Sequence, residues 1–495
     1  MTEIAFPNPS EPPPTEADAV RLHELGYEQE LRRGLGLFDN IAIGFATISP
    51  VVGLYAVAFV GMTLAGGTWV WMLPVALAGQ CLLLAVYSEL ASEFPIANAA
   101  YQWSRRLLGP RYGWFNGWVC LCAYGVANTT IAYLGAPWAL IVLGIEPTAN
   151  AIVVTGMILV VVCAFVNLLG VSALKHAVKV GIAAEVIASV GVGLALLLFF
   201  RHENVTVLHD TLGAEALSGG STTAGLLAAL AVAGWVFIGF DACGLTSEET
   251  VGAARRVPRT VWIALLSVAA IVILDAFAVT LAHPELRDVV GGEDVDPVST
   301  AVVTSFGSWA TRPFAAVTLV AFLACGMAAQ GITARAIYSV ARDGVLPGWR
   351  FLRLVDRRQV PIGATVVTTI IACLGLLLGL ESAAIGSLIT FGTAAIYVSF
   401  LLLVVAALVA RLRGSWRPGA YLRLGRIGLV LNVLAVVWLG FETVNIAWPR
   451  ASLAPAGAPW YQVWAAPLVL ALIGVAGFAY LLVARPDRRL DAPRR

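Results

Sequence analysis

The chain has 495 residues, of which 59% are hydrophobic and 12% charged, with a net charge of +1 and a mean hydropathy of +0.85. Soluble domains carry roughly 25% charged residues, and the apolar runs here reach the ~20 residues that a helix needs to cross about 30 Å of hydrocarbon. The composition excludes a soluble enzyme or a basic nucleic-acid-binding domain. It makes the chain an all-α polytopic membrane protein, because unbroken runs such as Val178–Phe200 lack the polar alternation of a β-barrel.

Residues 1–38 read as a cytoplasmic tail, polar and mobile from Met1 to about Glu30, with no signal-peptide pattern. Twelve spans are predicted after it, at 39–64, 69–93, 112–143, 149–169, 178–200, 222–247, 259–282, 310–339, 362–379, 383–410, 427–449 and 461–484. With the first tail inside, all but four of the 31 lysines and arginines fall on the cytoplasmic face, the exceptions being Arg201, Arg287, Arg312 and Arg450. That bias predicts that both termini, including the tail 485–495, are cytoplasmic, and it favours an even span count. The loops are short, so function has to reside within the membrane core.

Two spans are interrupted. The first contains Ile48-Ser-Pro-Val-Val-Gly53, and the sixth contains Trp235-Val-Phe-Ile-Gly-Phe-Asp241 running on to Glu249. Flexible backbone and a carboxylate at membrane depth are tolerated where they line a cavity. Paired broken helices point to a transporter binding site. The breaks are five spans apart, and five is odd, so spans 1–5 (39–200) and 6–10 (222–410) would be inverted repeats, with 427–484 carrying two extra helices. All seven cysteines lie within spans and the five histidines in loops or helix ends. No disulfide pair, metal site or catalytic triad takes shape from them, and no cofactor or phosphate-binding motif is present.

Three motifs carry a resemblance. They are Tyr87-Ser-Glu-Leu-Ala-Ser-Glu-Phe-Pro95 with Tyr101-Gln-Trp103 and Gly113-Trp114; Phe237-Ile-Gly-Phe-Asp241 with Thr246-Ser-Glu-Glu249 and Ala253-Ala-Arg-Arg-Val-Pro-Arg259; and Ala341-Arg-Asp-Gly-Val-Leu-Pro-Gly348 with Val360-Pro361. In these the chain resembles the amino acid–polyamine–organocation superfamily of permeases, most closely its amino acid, γ-aminobutyrate and choline branch. The resemblance implies a five-plus-five inverted repeat and a substrate held between the unwound parts of spans 1 and 6. Half-helix N-termini suit a carboxylate and half-helix C-termini an ammonium, which matches a zwitterionic amino acid.

Ile48, Ser49, Pro50 and Gly53 would form the first half of that site, although Pro50 offers no N–H and the valines crowd the backbone where the family has glycines. Trp235, Phe237, Ile238 and Phe240 would wall the second half, with Trp235 at the position that the resemblance makes an occluding lid; the alternative is an apolar packing face. Aromatic walls would also suit a quaternary amine. Asp241 is open to three uses (orienting the backbone, binding an amine or taking a proton) or to simple N-capping of the second half-helix. Glu185 occupies the position where the resemblance implies a coupling lysine. A buried carboxyl there could exchange a proton, or it could pair with Arg335. Tyr124 and Cys325 are further wall candidates.

At the inner span ends, Glu248, Glu249 and Arg255 are gate candidates, together with Glu89, Glu93, Arg105, Arg106, Arg256, Arg342 and Asp343; the alternative is solvated interface charge. Asp275 and Glu442 are intramembrane acids with no motif behind them. The expectation is a proton-coupled plasma-membrane importer of an amino acid or related small amine, a monomer or weak homo-oligomer with the lipid bilayer and H⁺ as its other partners. An ion-independent exchanger, choline or polyamine uptake, and a membrane substrate sensor are the alternatives.

Overall fold

The structure, a computed structural model, describes residues 14–380, 384–419, 421–454 and 457–490. The predicted start of span 10 at 383 and the tail ends 1–13 and 491–495 lie outside the described residues. Helix is the regular structure throughout; the bridges Leu35 to Thr250 and Val355 to Pro361 are isolated, and the described residues contain no strand. A lipid-embedded backbone must satisfy its N–H and C=O groups within its own segment, which apolar runs do as helices.

Helix α1 (Pro14–Glu24) comes first. The first predicted span is split into α2 (Leu37–Ile48) and α3 (Pro50–Ala65), and a 3-10 turn over Gly66–Trp71 leads into α4 (Met72–Glu93). Next come α5 (Ala99–Leu108), α6 (Pro110–Leu143) and α7 (Ala149–Leu168). α8 (Val171–Glu185) passes through a π-helical segment, Val186–Gly191, into α9 (Val192–Phe199). The sixth predicted span comprises α10 (Thr222–Ala233), a 3-10 turn over Gly234–Phe237 and the short α11 (Ala242–Leu245). α12 (Ala253–Ala282) is continuous, and α13 (Leu286–Gly291) and α14 (Pro297–Phe306) fill the loop after it. The remaining helices are α15 (Thr311–Ala341), α16 (Trp349–Leu352), α17 (Ile362–Leu376), α18 (Ala384–Leu412), α19 (Ile427–Ala447), α20 (Trp460–Val463), α21 (Ala465–Ala484) and α22 (Asp487–Leu490).

Among the described residues, 11 helical stretches are long and apolar enough to cross a membrane. The first, Leu37–Glu93, has 57 residues. Straightened, it would be about 85 Å long, more than twice the hydrocarbon thickness. Pro50, Pro110 and Pro297 each stand in a first helical turn, where their missing N–H costs nothing.

The core is built by α6 against α15 and α18, and by α12 against α2, α4 and α9. α2 also packs on α8 and α15, so the first break lies deep inside. α21 turns most of its surface outward, with Leu472, Val475, Phe478 and Leu482 exposed. Lipid is as apolar as leucine, so such a face needs no protein cover.

The expectation of a mobile tail up to Glu30 is corrected over residues 14–30, which continue into an ordered segment up to residue 36. Leu22, Tyr27, Leu31 and Leu35 are buried, and the segment straps the ends of α4, α5 and α15. Its polar composition is offset by partners on α4 and in the segment past the end of α11. Arg21 pairs with Glu93 at 2.7 Å, the Arg33 guanidinium donates to the Thr250 carbonyl at 3.0 Å, and the N–H groups of Gly34 and Leu35 donate to the Glu249 carbonyl.

Candidate functional site

The first break is a single residue. Ser49 has φ +51° and ψ 110°, a left-handed-side conformation costing about 1–3 kcal/mol in a non-glycine residue. Its N–H closes α2 on the Phe45 carbonyl, while its hydroxyl accepts from the Val52 N–H at 3.1 Å and caps α3. Pro50 has no N–H to cap. The Val51 N–H donates to Glu185 Oε2 at 3.0 Å, and the Ser49 hydroxyl donates to Glu185 Oε1. Glu185, 2% exposed at the end of α8, therefore lies on the positive end of α3, where a carboxylate is favoured. The alternative of a Glu185–Arg335 pair is corrected. Arg335 lies toward the C-terminal end of α15 and forks onto Glu249 instead, its Nη2 donating to Oε2 at 3.0 Å.

The second break runs from Ile238 to Asp241. Ile238 is extended, and Gly239 has φ +107°, which only glycine adopts without strain. A Cβ on Gly239 would stand 3.0 Å from the Thr47 carbonyl oxygen, and one on Gly53 would stand 3.3 Å from the Val236 side chain. The two glycines thus let the breaks lie against each other. Asn40 fixes the lower halves together, its Nδ2 donating to the Cys243 carbonyl at 3.1 Å and to the hydroxyls of Thr246 and Thr250.

Capping of α11 by Asp241 is corrected too. Its side chain makes no cap bond, because Asp241 is itself in helical conformation and turns its carboxylate toward α6. The Tyr124 hydroxyl donates to Oδ2, while Oδ1 has no hydrogen-bond partner.

Between the breaks is a cavity of about 50 Å³, lined in part by Ile48, Trp235, Ile238, Asp241 and Tyr124. Cys325 also reaches it. Ser49, Pro50 and Gly53 do not reach it; they shape the break behind it. Phe237 and Phe240 leave the wall as well. Both are fully buried, and Phe240 packs edge-on against Tyr87 and stacks on Phe400, each at 5.5 Å. Sequence reasoning missed Asn128 and Thr333, which line the cavity and are joined by a 2.8 Å hydrogen bond. The signal was present: Asn128 follows Tyr124 by one helical turn, on the same face of α6.

Fifty cubic ångströms is room for one or two waters, far below the ~300 Å³ of small ligand sites. The site is collapsed in this conformation. Hollows of about 430 and 1020 Å³ lie elsewhere, the first beside α19 and the second beside α20 and α21, and no carboxylate lines either of them.

The end of the helices where α11 and α15 meet is held by buried ion pairs, not by solvated interface charge. Arg342 forks onto Glu248 at 2.8 and 2.5 Å, and Arg335 onto Glu249. Both glutamates are at most 2% exposed. The Arg342 guanidinium also stacks 4.0 Å over the Tyr27 ring of the strap. Arg105 pairs with Asp343 at 2.8 Å, and Arg411 with Glu89. Arg255 is corrected as a gate residue: it is exposed at the start of α12 and forms no ion pair among the described residues. Glu442 accepts only long bonds from Asn445, at 3.4 and 3.5 Å, on the peripheral α19.

Residues 35–484 match the family model described as amino acid permease. The chain is 26% identical to the amino-acid permease BAT1 of Arabidopsis thaliana, over 95% of this chain and 94% of that one. It is 24% identical to the branched-chain amino acid permease BcaP of Bacillus subtilis, over 85% and 90% of the two chains. It is 25% identical to the vacuolar cationic amino acid transporter 4 of Arabidopsis thaliana, over 80% and 66%. A match over nearly the whole length, on a helical scaffold with two facing breaks, makes the chain a member of the amino acid permease family within the amino acid–polyamine–organocation superfamily.

Proposed function

We propose that the protein is a secondary active importer that carries a neutral amino acid across the plasma membrane with a proton, by alternating access. In this reading it has twelve spans, with Leu37–Glu93 counted as two, both termini cytoplasmic and a five-plus-five inverted repeat followed by two extra helices. The observation that carries the reading is the arrangement of two carboxylates around the facing breaks. Asp241 keeps one oxygen without a partner at the cavity, suited to an α-ammonium group. Glu185 covers the only N–H at the start of α3 that Ser49 does not take.

The positive end of α3 would be the natural seat for the substrate carboxylate, and Glu185 occupies it. Protonation removes the glutamate's charge, weakens its hold on the helix end and releases the Val51 N–H to the incoming carboxylate. Deprotonation toward the cytoplasm reverses the exchange and expels the substrate. Proton and amino acid are thereby tied to one N–H. Trp235 acts as the lid on the cavity, and the Glu248–Arg342 and Glu249–Arg335 pairs act as the cytoplasmic gate. The relatives' names span branched-chain and cationic substrates. A neutral side chain is favoured here because Asp241 is the one carboxylate at the cavity among the described residues, and the α-ammonium uses it.

Uptake of radiolabelled leucine into proteoliposomes, with and without an inwardly directed proton gradient, tests the reading. Acidifying the outside is expected to accelerate uptake in the wild type and to have no effect in Glu185→Gln, which resembles the permanently protonated state. Equal pH dependence in both proteins would sink the role of Glu185. Strict dependence on internal amino acid, with no gradient effect, would make the protein an exchanger.

A further inference from the structure

One buried acid remains without a role. Asp275 on α12 is 3% exposed, and among the described residues neither of its carboxylate oxygens makes a well-formed hydrogen bond. The Ser189 hydroxyl is 1% exposed and lies against that carboxylate, with no other interaction partner among the described residues. The carboxylate is not there by default of space, since the neighbouring helix makes room for it. A Cβ at Gly193 would fall 2.0 Å from Asp275 Oδ1, so α9 has a glycine where the carboxyl points.

The wall between Asp275 and Glu185 is the π-helical segment Val186–Gly191. π-bulges widen a helix locally and are frequent at functional sites. Ser189 lies in this segment, one turn past Glu185. Glu185 and Asp275 feel each other's charge, and the Tyr55 ring on α3 lies in the field of both as well as of Asp296. The Tyr55 hydroxyl donates to the Ala188 carbonyl at 3.2 Å, within the same segment. The groups facing Asp275 are therefore Glu185, Ser189 and Tyr55, with Asp296 at the start of α14 and the 2.9 Å His283–Asp294 pair farther out along α12. None of them is a lysine or arginine.

A carboxylate that faces no cation and has a single hydroxyl beside it is disfavoured in its ionised form in such a place, whereas a neutral carboxylic acid is tolerated. A hard metal cation would want about six oxygens, and Asp275 with Ser189 supplies three. We propose that Asp275 is a second proton-carrying group, a relay that loads Glu185 from the side of the membrane on which α12 ends. Asp275 gives its proton to the Ser189 hydroxyl oxygen, and that hydroxyl passes its own proton on to the Glu185 carboxylate, directly or across a water in the widened turn. Asp275 is left ionised and takes a new proton from water on the Asp296 side. The inference rests on the proton-coupled reading of Glu185.

The test uses the full-length protein in proteoliposomes with a radiolabelled mixture of proteinogenic amino acids. Two rates are measured for wild type, Asp275→Asn and Ser189→Ala: uptake driven by a proton gradient, and counter-flow at equal pH. The ratio of the first to the second is expected to fall about tenfold in Asp275→Asn, with a smaller fall and a displaced pH profile in Ser189→Ala. A wild type indifferent to the gradient overturns both the relay and the coupling reading. A gradient-driven wild type with an unchanged ratio in Asp275→Asn overturns the relay alone. Sodium dependence that disappears in Asp275→Asn would replace the relay by a cation site and overturn it as well. Infrared spectra give a check independent of transport: the carbonyl stretch of a protonated carboxylic acid at neutral pH should be lost in Asp275→Asn. Superimposable spectra of the two proteins would overturn the proposal.

Discussion

Among the described residues, Tyr124 is the side chain that donates to the Asp241 carboxylate in a nearly closed cavity. Hydrogen bonds to charged groups contribute about 1.5–3 kcal/mol, more than neutral ones. Tyr124→Phe keeps the ring and removes only that donor, so the carboxylate loses its fixed orientation toward the substrate ammonium. We expect amino acid affinity to fall about tenfold or more, measured by calorimetry on purified protein that keeps its cooperative unfolding transition at a lowered melting temperature. Unchanged affinity would mean that Asp241 does not contact the ligand. At this scale the break residues were legible from sequence, since a Ser-Pro step and a glycine next to a carboxylate are rare at membrane depth. The partners of Glu185 and Asp241 were not. Helix periodicity gives the face a residue occupies but not the depth at which another helix meets it. Depth is what gave Arg335 to Glu249 rather than to Glu185.

The strap of residues 14–36 and the ion pairs above it form one closure at the level of elements. Arg342 on α15 is held both by Glu248 past the end of α11 and by the Tyr27 ring of the strap. Tyr27 also bonds Gln102 on α5 at 3.0 Å and Asp343 past the end of α15. If these pairs are the gate of the proposed alternating access, opening must separate these elements, and the strap and the pairs have to release together. Removing one member of a buried pair typically costs about 3–5 kcal/mol because the other charge is left unpaired. Arg342→Ala should therefore favour the open side and expose Cys325, which lines the cavity and is 1% exposed here. Labelling of Cys325 by a membrane-impermeant thiol reagent applied from the cytoplasmic side, read by mass spectrometry, should rise. Deleting residues 14–36 should raise it as well, whereas a Glu248→Arg/Arg342→Glu double exchange should restore protection. A strap deletion that leaves labelling at the wild-type level would separate the strap from the gate. The strap was not legible in the sequence for a physical reason. Leu22, Tyr27, Leu31 and Leu35 are too sparse to mark a core, and their burial depends on acids and carbonyls supplied by helices far along the chain.

At the scale of the whole molecule, a cavity of about 50 Å³ between the breaks and buried ion pairs at one end of the helices describe a transporter caught without room for its cargo. On the proposed reading of the breaks as the binding site, an amino acid can enter only if α3, the α10–α11 break and the α6 face move apart, so binding has to select a wider conformation than this one. The stabilisation a ligand confers then reports affinity less the cost of that widening. For a ligand at 100 times its apparent Kd, the gain is about 2.7 kcal/mol, readily seen as a rise in apparent melting temperature. Leucine should produce such a rise, and Asp241→Asn should abolish it by removing the acceptor for the ammonium. Choline, which has no carboxylate for the end of α3, should produce less. Arginine should produce little, because its guanidinium would enter a cavity whose described lining has no second acid. A shift with arginine as large as with leucine would defeat the neutral-substrate reading. No shift with any amino acid would remove the paired breaks as the binding site, because a site that binds its substrate must stabilise the state that holds it.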